Sequence, residues 1–306
     1  MNSSPSILFL LLFSIFCSNS FAGIYKWVDK NGKVHYSDKP TTNAQQYSLE
    51  KTAKPNEKSV VVIKTVKYEL PKALKDSLTA RINKLIDIYP KIFHISPKAP
   101  PTVDVTIFGT EQSFNKHKAA FHEGHNYFNG FYSTKTNKIS VWRDEGDKEM
   151  ESVVLHETSH AIIRQLAPNL PLWLEEGLAE YFSNSSIRAN NLRVSTDEKR
   201  EQNLRDWAQK EDIPSLKWYL NMTNRKWHEE TAQGNSITYT YAWAMAHFLM
   251  SKPTGKRIVS TILRDSNIDG RIDSFQSVTN LYPGGLVKLE YDWYAWITKD
   301  KKDHIY

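Results

Sequence analysis

From residue 60 onward the spacing of apolar residues spells out the elements. VVVIKTVKY (60–68) is a β-branched run of strand length. PKALKDSLTARINKLIDIYP (71–90) follows, with Leu74, Leu78, Ile82, Leu85 and Ile86 on one helical stripe. TVDVTIF (102–108) alternates and puts Val103, Val105 and Ile107 on one face of a strand. FGTEQSFNKHKAAF reads as a short helix, and GFYSTKTNKISVWR (130–143) as two strands about a Lys-Thr-Asn turn. From Glu149 the pattern is mostly helical, punctuated by Pro168, Pro171, Pro214, Pro253 and Gly284-Gly285. A small mixed sheet with helices, then a mainly helical half, is an α+β architecture.

The front of the chain follows other rules. In MNSSPSILFLLLFSIFCSNSFA an apolar run from Ile7 to Phe16 leads to small and polar residues and a cut after about Ala22, the layout of a secretory signal. The run is too short to span a bilayer comfortably. Cys17, the single cysteine, lies within the first 22 residues, so a chain cut at Ala22 relies on no disulfide in an oxidising compartment. GIYKWVDKNGKVHYSDKP then places two alternating runs on either side of Asn31-Gly32, a strong hairpin signal. Through Tyr25, Lys26, Trp27, Asp29, Gly32, His35, Tyr36, Ser37 and Asp38 this piece resembles a small domain of unknown function found behind the signal peptide of many bacterial envelope proteins. The resemblance implies a Gram-negative envelope address, periplasmic or secreted, and no catalytic role. The expected organisation is a signal at 1–22, a β-hairpin module at 23–42, a linker at 43–59, a main domain at 60–299 and a polar tail at 300–306.

Charge narrows the function classes. The 306 residues carry a net +6, but the lysines are scattered and no recognition motif accompanies them, which argues against specific nucleic-acid binding. No later segment is long and apolar enough for a transmembrane helix, so none is expected in the mature chain.

The chemistry centres on LHETSH (155–160). On a helix, His156 and His160 stand one turn apart on the same face, where both imidazoles can meet one metal ion at about 2.0–2.1 Å. Glu157 sits beside that face, within reach of a metal-activated water. By composition alone such a pattern arises in roughly two chains per hundred of this length, so a third ligand decides. PLWLEEGLAEYF (171–182) can form a second helix after the Pro168 and Pro171 breaks and pack on the first through Leu172, Trp173, Leu178 and Phe182. Glu176 lies sixteen residues after His160, enough chain to turn and return antiparallel. Glu180 shares its face and could accept the free ring N–H of a ligand histidine. Residues 171–182 hold three glutamates and no lysine or arginine, which calls for a cation nearby.

His156, Glu157 and His160, followed by Trp173, Leu174, Glu176, Gly177, Ala179 and Tyr181, resemble the HExxH and W-L-x-E-G-x-A-x-Y signature of the gluzincin zinc metallopeptidases of clan MA, in particular their small bacterial members. The resemblance implies one Zn²⁺ per chain held by His156, His160 and Glu176, with Glu157 as general base. It selects Glu176 over Glu175, and it implies a hydroxyl donor from a later helix. TYTYAWAMAHFL (238–249) is similar to the family's downstream helix at Tyr239, Trp243, His247, Phe248 and Leu249, which makes Tyr239 the candidate oxyanion donor, with Tyr241 as the other choice. His247 reads as a packed histidine rather than a ligand. His117, His122 and His125 read as a loop cluster rather than a second metal site. In gluzincins the strand equivalent to KISVWR lies at the sheet edge beside the cleft, where an extended peptide can add to it; its alternative reading is an edge protected by Lys138 and Arg143. The expected function is a zinc metallopeptidase acting on a peptide or protein substrate. The alternatives are an idle zinc-containing envelope binding or scaffold protein of the same fold, and a cell-wall amide hydrolase.

Overall fold

The computed structural model describes residues 25–28, 34–37, 45–46, 59–97, 99–120, 129–144, 146–234, 237–269 and 273–306. The chain divides into two compact units, Met1–Lys51 and Thr52–Tyr306. In the first, β1 (Tyr25–Val28) pairs antiparallel with β2 (Val34–Ser37), from Tyr25 opposite Ser37 to Val28 opposite Val34. This is the expected hairpin; its Asn31-Gly32 turn lies outside the described residues, as does the signal segment 1–22. β3 (Gln45–Gln46) pairs on the other side of β1, in a stretch expected to be linker.

The second unit opens with β4 (Val60–Val66), α1 (Lys72–Phe93), β5 (Thr102–Phe108), α2 (Glu111–Ala119), β6 (Gly130–Ser133) and β7 (Lys138–Trp142). The strands form one sheet in the order β4-β5-β7-β6, parallel except for β6, which runs antiparallel to β7. Parallel neighbours require crossovers, and α1 and α2 supply them. Val103, Val105 and Ile107 are buried, as are Leu78, Ile82, Leu85 and Ile86 of the helical stripe, with Leu74 partly so. α1 continues through Pro90, because Ile88, Tyr89 and Phe93 are all buried and their packing outweighs one missing helical hydrogen bond.

KISVWR is not the sheet edge. β7 lies between β5 and β6, with Ile139, Ser140 and Val141 buried, and β6 is the edge strand. Lys138 and Arg143 flank the β7 apolar centre and leave it free to pair on both sides.

There follow α3 (Asp147–Leu166), α4 (Leu172–Ser183), β8 (Ser185–Arg188), β9 (Asn191–Val194), α5 (Glu198–Gln209), α6 (Leu216–Leu220), α7 (Asn224–Ala232), α8 (Ile237–Met250), α9 (Pro253–Asp269), α10 (Ser274–Leu281), α11 (Gly285–Ile297) and β10 (His304–Ile305). The helical half thus also contains a small sheet, ordered β10-β9-β8. Arg188 faces Asn191, so the hairpin turns on Ala189-Asn190, both with positive φ (46° and 64°), the backbone that two-residue hairpin loops need. Residues 300–306 are not a free polar tail. β10 pairs with β9, and the Tyr306 hydroxyl stands 2.7 Å from that of Tyr181, because these residues bring aromatic bodies to a buried neighbour. α4 lies between α3 and α8. At Gly177 a Cβ would stand 2.6 Å from the carbonyl oxygen of Ala242, so only glycine permits this approach of α4 to α8. Among the described residues no helix is long and apolar enough to cross a membrane.

Candidate metal centre

α3 ends at Leu166 and α4 begins behind Pro171, so a short connection returns the chain antiparallel along the histidine face of α3. There His156 Nε2 and His160 Nε2 lie 3.1 Å apart, and a carboxylate oxygen of Glu176 lies 3.5 Å from each. Two ligands each about 2.05 Å from one ion, at the tetrahedral angle, stand about 3.3 Å apart. The three atoms therefore fit a tetrahedral ion and leave its fourth position open. Among the described residues, they are the side chains whose ligand atoms converge to hold a metal, all within 4.8 Å of one another.

The far nitrogens of both rings face carboxylates of the same helix. His156 Nδ1 lies 3.5 Å from Glu180, and His160 Nδ1 lies 3.3 Å from Glu175. α4 thus presents three glutamates with three tasks. Glu176 faces the two Nε2 atoms, while Glu180 and Glu175 stand behind the rings. The sequence anticipated a role behind a ring for Glu180 but not for Glu175.

The idea that these glutamates lack countercharge also needs correction. Arg164 of α3 grips Glu175 with both ends of its guanidinium (2.6 and 2.8 Å), and Arg200 of α5 donates to Glu180 at 2.6 Å. Their cations come from other helices, which a reading of α4 by itself cannot see. Of the three, Glu176 is the one that faces both Nε2 atoms.

Electrostatics match the geometry. Burial pushes the His160 imidazole down, but Glu176 and Glu175 more than reverse this and hold it well above its ordinary range. His156 is likewise raised on balance, burial being outweighed by Glu180 and Glu176. Burial would raise Glu176, yet the two imidazoles hold its carboxyl far below the usual range. A carboxylate that stays ionised between two imidazoles is a ready cation site.

Glu157 is buried, and burial keeps its carboxyl above the usual range against the pull of both histidines. It receives the backbone N–H of Tyr132 from edge strand β6. Gly130 makes that approach possible: a Cβ there would stand 2.5 Å from Val153 Cγ1 and 3.4 Å from Glu157 Cγ. These two positions were invisible in the sequence, since only the packing of β6 on α3 reveals them.

His156, Glu157, His160, Glu176, Glu180 and Tyr239 all line one cleft of about 860 Å³, bordered by β6. Tyr239 feels the site directly: burial and the charges of Glu176, Glu180 and Glu157 all raise its phenol. Tyr241 points elsewhere, donating to the Pro214 carbonyl at 3.1 Å and packing on Tyr219. His247 is buried among Tyr181, Trp243, Trp296 and His304, away from the cleft, and neither of its ring nitrogens has a hydrogen-bond partner among the described residues. His117 lies against Phe108, with its Nε2 2.9 Å from Ser140 Oγ, while His122 and His125 lie outside the described residues.

Comparison with known proteins places two segments. Residues 11–67 match the family described as Domain of unknown function (DUF4124), and residues 149–267 match Protein of unknown function (DUF1570). The second match contains every residue of the candidate centre named above except those of β6. The chain is similar to Uncharacterized protein YhcO of Bacillus subtilis (strain 168), at 24% identity over 168 residues. That alignment covers 49% of this chain and 46% of the relative, so the chain spans about half the length of the curated relative it matches. No solved structure matches the chain. None of these descriptions names an activity.

Proposed function

We propose that the chain is a zinc-dependent metallopeptidase that hydrolyses bonds in a peptide or protein substrate in the periplasm or outside the cell, with one zinc per chain. The observation that carries this reading is the convergence of two imidazole nitrogens and a Glu176 oxygen at 3.1–3.5 Å, beside a buried Glu157 that is not among them. Two nitrogens, one carboxylate oxygen and an open position are the donor set of a hydrolytic zinc site. When bound, the ion acidifies a water and polarises a carbonyl.

The chain's own residues supply the rest. Glu157, its carboxylate fixed by the Tyr132 N–H, takes the proton of the attacking water and delivers it to the leaving amine. The Tyr239 hydroxyl, reaching the cleft from α8, donates to the oxygen on which negative charge develops. β6, the true sheet edge, borders the cleft, where an extended peptide can add by main-chain hydrogen bonds. The signal-like leader read in the sequence supports the envelope address.

Metal analysis of the purified protein, followed by an unbiased peptide digest, tests the reading. About one zinc per chain is expected, lost on replacing His156, His160 or Glu176 by Ala, because two remaining ligands bind far more weakly. Full zinc occupancy in Glu176→Ala would overturn the ligand set.

A further inference from the structure

We propose that Glu175 and Arg164 are positioning residues for the metal centre, holding His160 in the tautomer and rotation that present its Nε2 to the ion. This rests on the metal reading above. A histidine that ligates through Nε2 carries its proton on Nδ1, and an acceptor fixed behind the ring sets both the tautomer and the ring's aim. Glu175 is such an acceptor. It is 3% exposed, and the oxygen it places 3.3 Å from His160 Nδ1 also receives Arg164 Nε at 2.6 Å.

Arg164 lies one turn beyond His160 on α3. Its Nη2 takes the second Glu175 oxygen at 2.8 Å, and its Nη1 donates to the Pro168 carbonyl at 2.8 Å, in the connection between α3 and α4. The carboxylate is therefore clamped at both oxygens while it faces the ring. A simple tie between two helices would need only the ion pair; here the shared oxygen also faces the ring nitrogen opposite the ligating one. Across the site, Glu180 places one carboxylate oxygen 3.5 Å from His156 Nδ1 and receives Arg200 on the other. Each ligand histidine thus has a glutamate from α4 behind it and an arginine from elsewhere behind that glutamate.

The test compares the full-length wild type with Glu175→Gln and with the double variant Arg164→Met, Glu175→Gln, which leaves no unpaired buried charge if the single variant fails to fold. Zinc affinity is measured by chelator competition, the metal-free melt by circular dichroism, and the imidazole N–H signals of the zinc-loaded proteins by nitrogen-15 NMR. Zinc binding is expected to weaken roughly 10–100-fold, with the fold of the double variant retained and the His160 Nδ1–H exchanging faster with solvent. Wild-type zinc affinity and an unchanged His160 signal in the folded variants would overturn the inference and leave the pair a plain helix–helix tie, with the metal reading intact. A folded wild type that binds no zinc would overturn both.

Discussion

Glu157 differs from Glu175 and Glu180 in what holds it: a backbone N–H from β6 in place of an arginine. A guanidinium occupies the carboxylate it grips, whereas one backbone donor fixes it and leaves an oxygen to take a proton. Glu157→Gln keeps the shape and removes the basicity, so zinc content and melting should be unchanged while hydrolysis of a digest-identified substrate falls roughly 10²–10⁴-fold. Wild-type turnover with zinc bound would remove Glu157 from the mechanism, and a zinc-loaded wild type that cleaves no peptide would favour the binding-protein alternative. Tyr239→Phe should lower kcat roughly 10²–10³-fold with KM little changed, read from steady-state kinetics. At this scale the sequence was legible where helical periodicity sufficed: His156 and His160 must share a face, and Glu157 must lie beside it. It was not legible for the three glutamates of α4. Which of them faces Nε2 and which faces Nδ1 depends on how α4 lies across α3, and the partner arginines are 11 and 20 residues away in sequence.

Elements were readable where one apolar period dominated and unreadable where pairing partners decided. The α1 stripe and the β5 alternation carried their own signal. β7 gave no sign of lying inside the sheet, because an interior and an edge strand of five residues can carry the same letters. The β8–β9 hairpin was missed because its left-handed turn is Ala189-Asn190, without the glycine that marks such turns. Gly177 is the element-scale determinant of the site, since it sets the approach of α4 to α8 one residue after Glu176. On an exposed helix Gly→Ala would stabilise by about 1 kcal/mol. Here the added methyl meets a backbone carbonyl that cannot swing away, so overpacking prevails. Gly177→Ala should cost about 1–3 kcal/mol in denaturant unfolding and weaken zinc binding as α4 shifts.

For the whole molecule, the division into two compact units predicts that protein beginning at Thr52 folds and keeps whatever zinc and peptidase activity the full chain has. A folded but inactive truncation would bring the hairpin module into the active site. Acid stability is a second whole-molecule property. Burial holds His247 at about 3 and His304 at about 4, both below the unfolded value near 6.5. The unfolded chain therefore binds more protons below that value. The stability these two residues contribute is complete above pH 6.5 and is lost as pH falls toward 4 and then 3, with a slope approaching about 1.4 kcal/mol per pH unit for each. In metal-free protein the raised His156 and His160 act in the opposite sense, contributing stability that is lost as pH rises through their folded values. Melts of the metal-free protein between pH 7.5 and 4.5 should therefore show a shallower acid loss in His247→Phe than in wild type. The β10 strand and Tyr306 also govern timing. Tyr181, the neighbour of Glu180 on α4, finds its hydroxyl partners in His304 and Tyr306, the latter 125 residues downstream. During synthesis the helix that carries Glu176 thus receives its last fastening only when residues 304–306 emerge, after α3 and α4 have both been made. Final seating of the helix that carries all three glutamates is thereby tied to completion of the domain around it, like an arch that waits for its last stone.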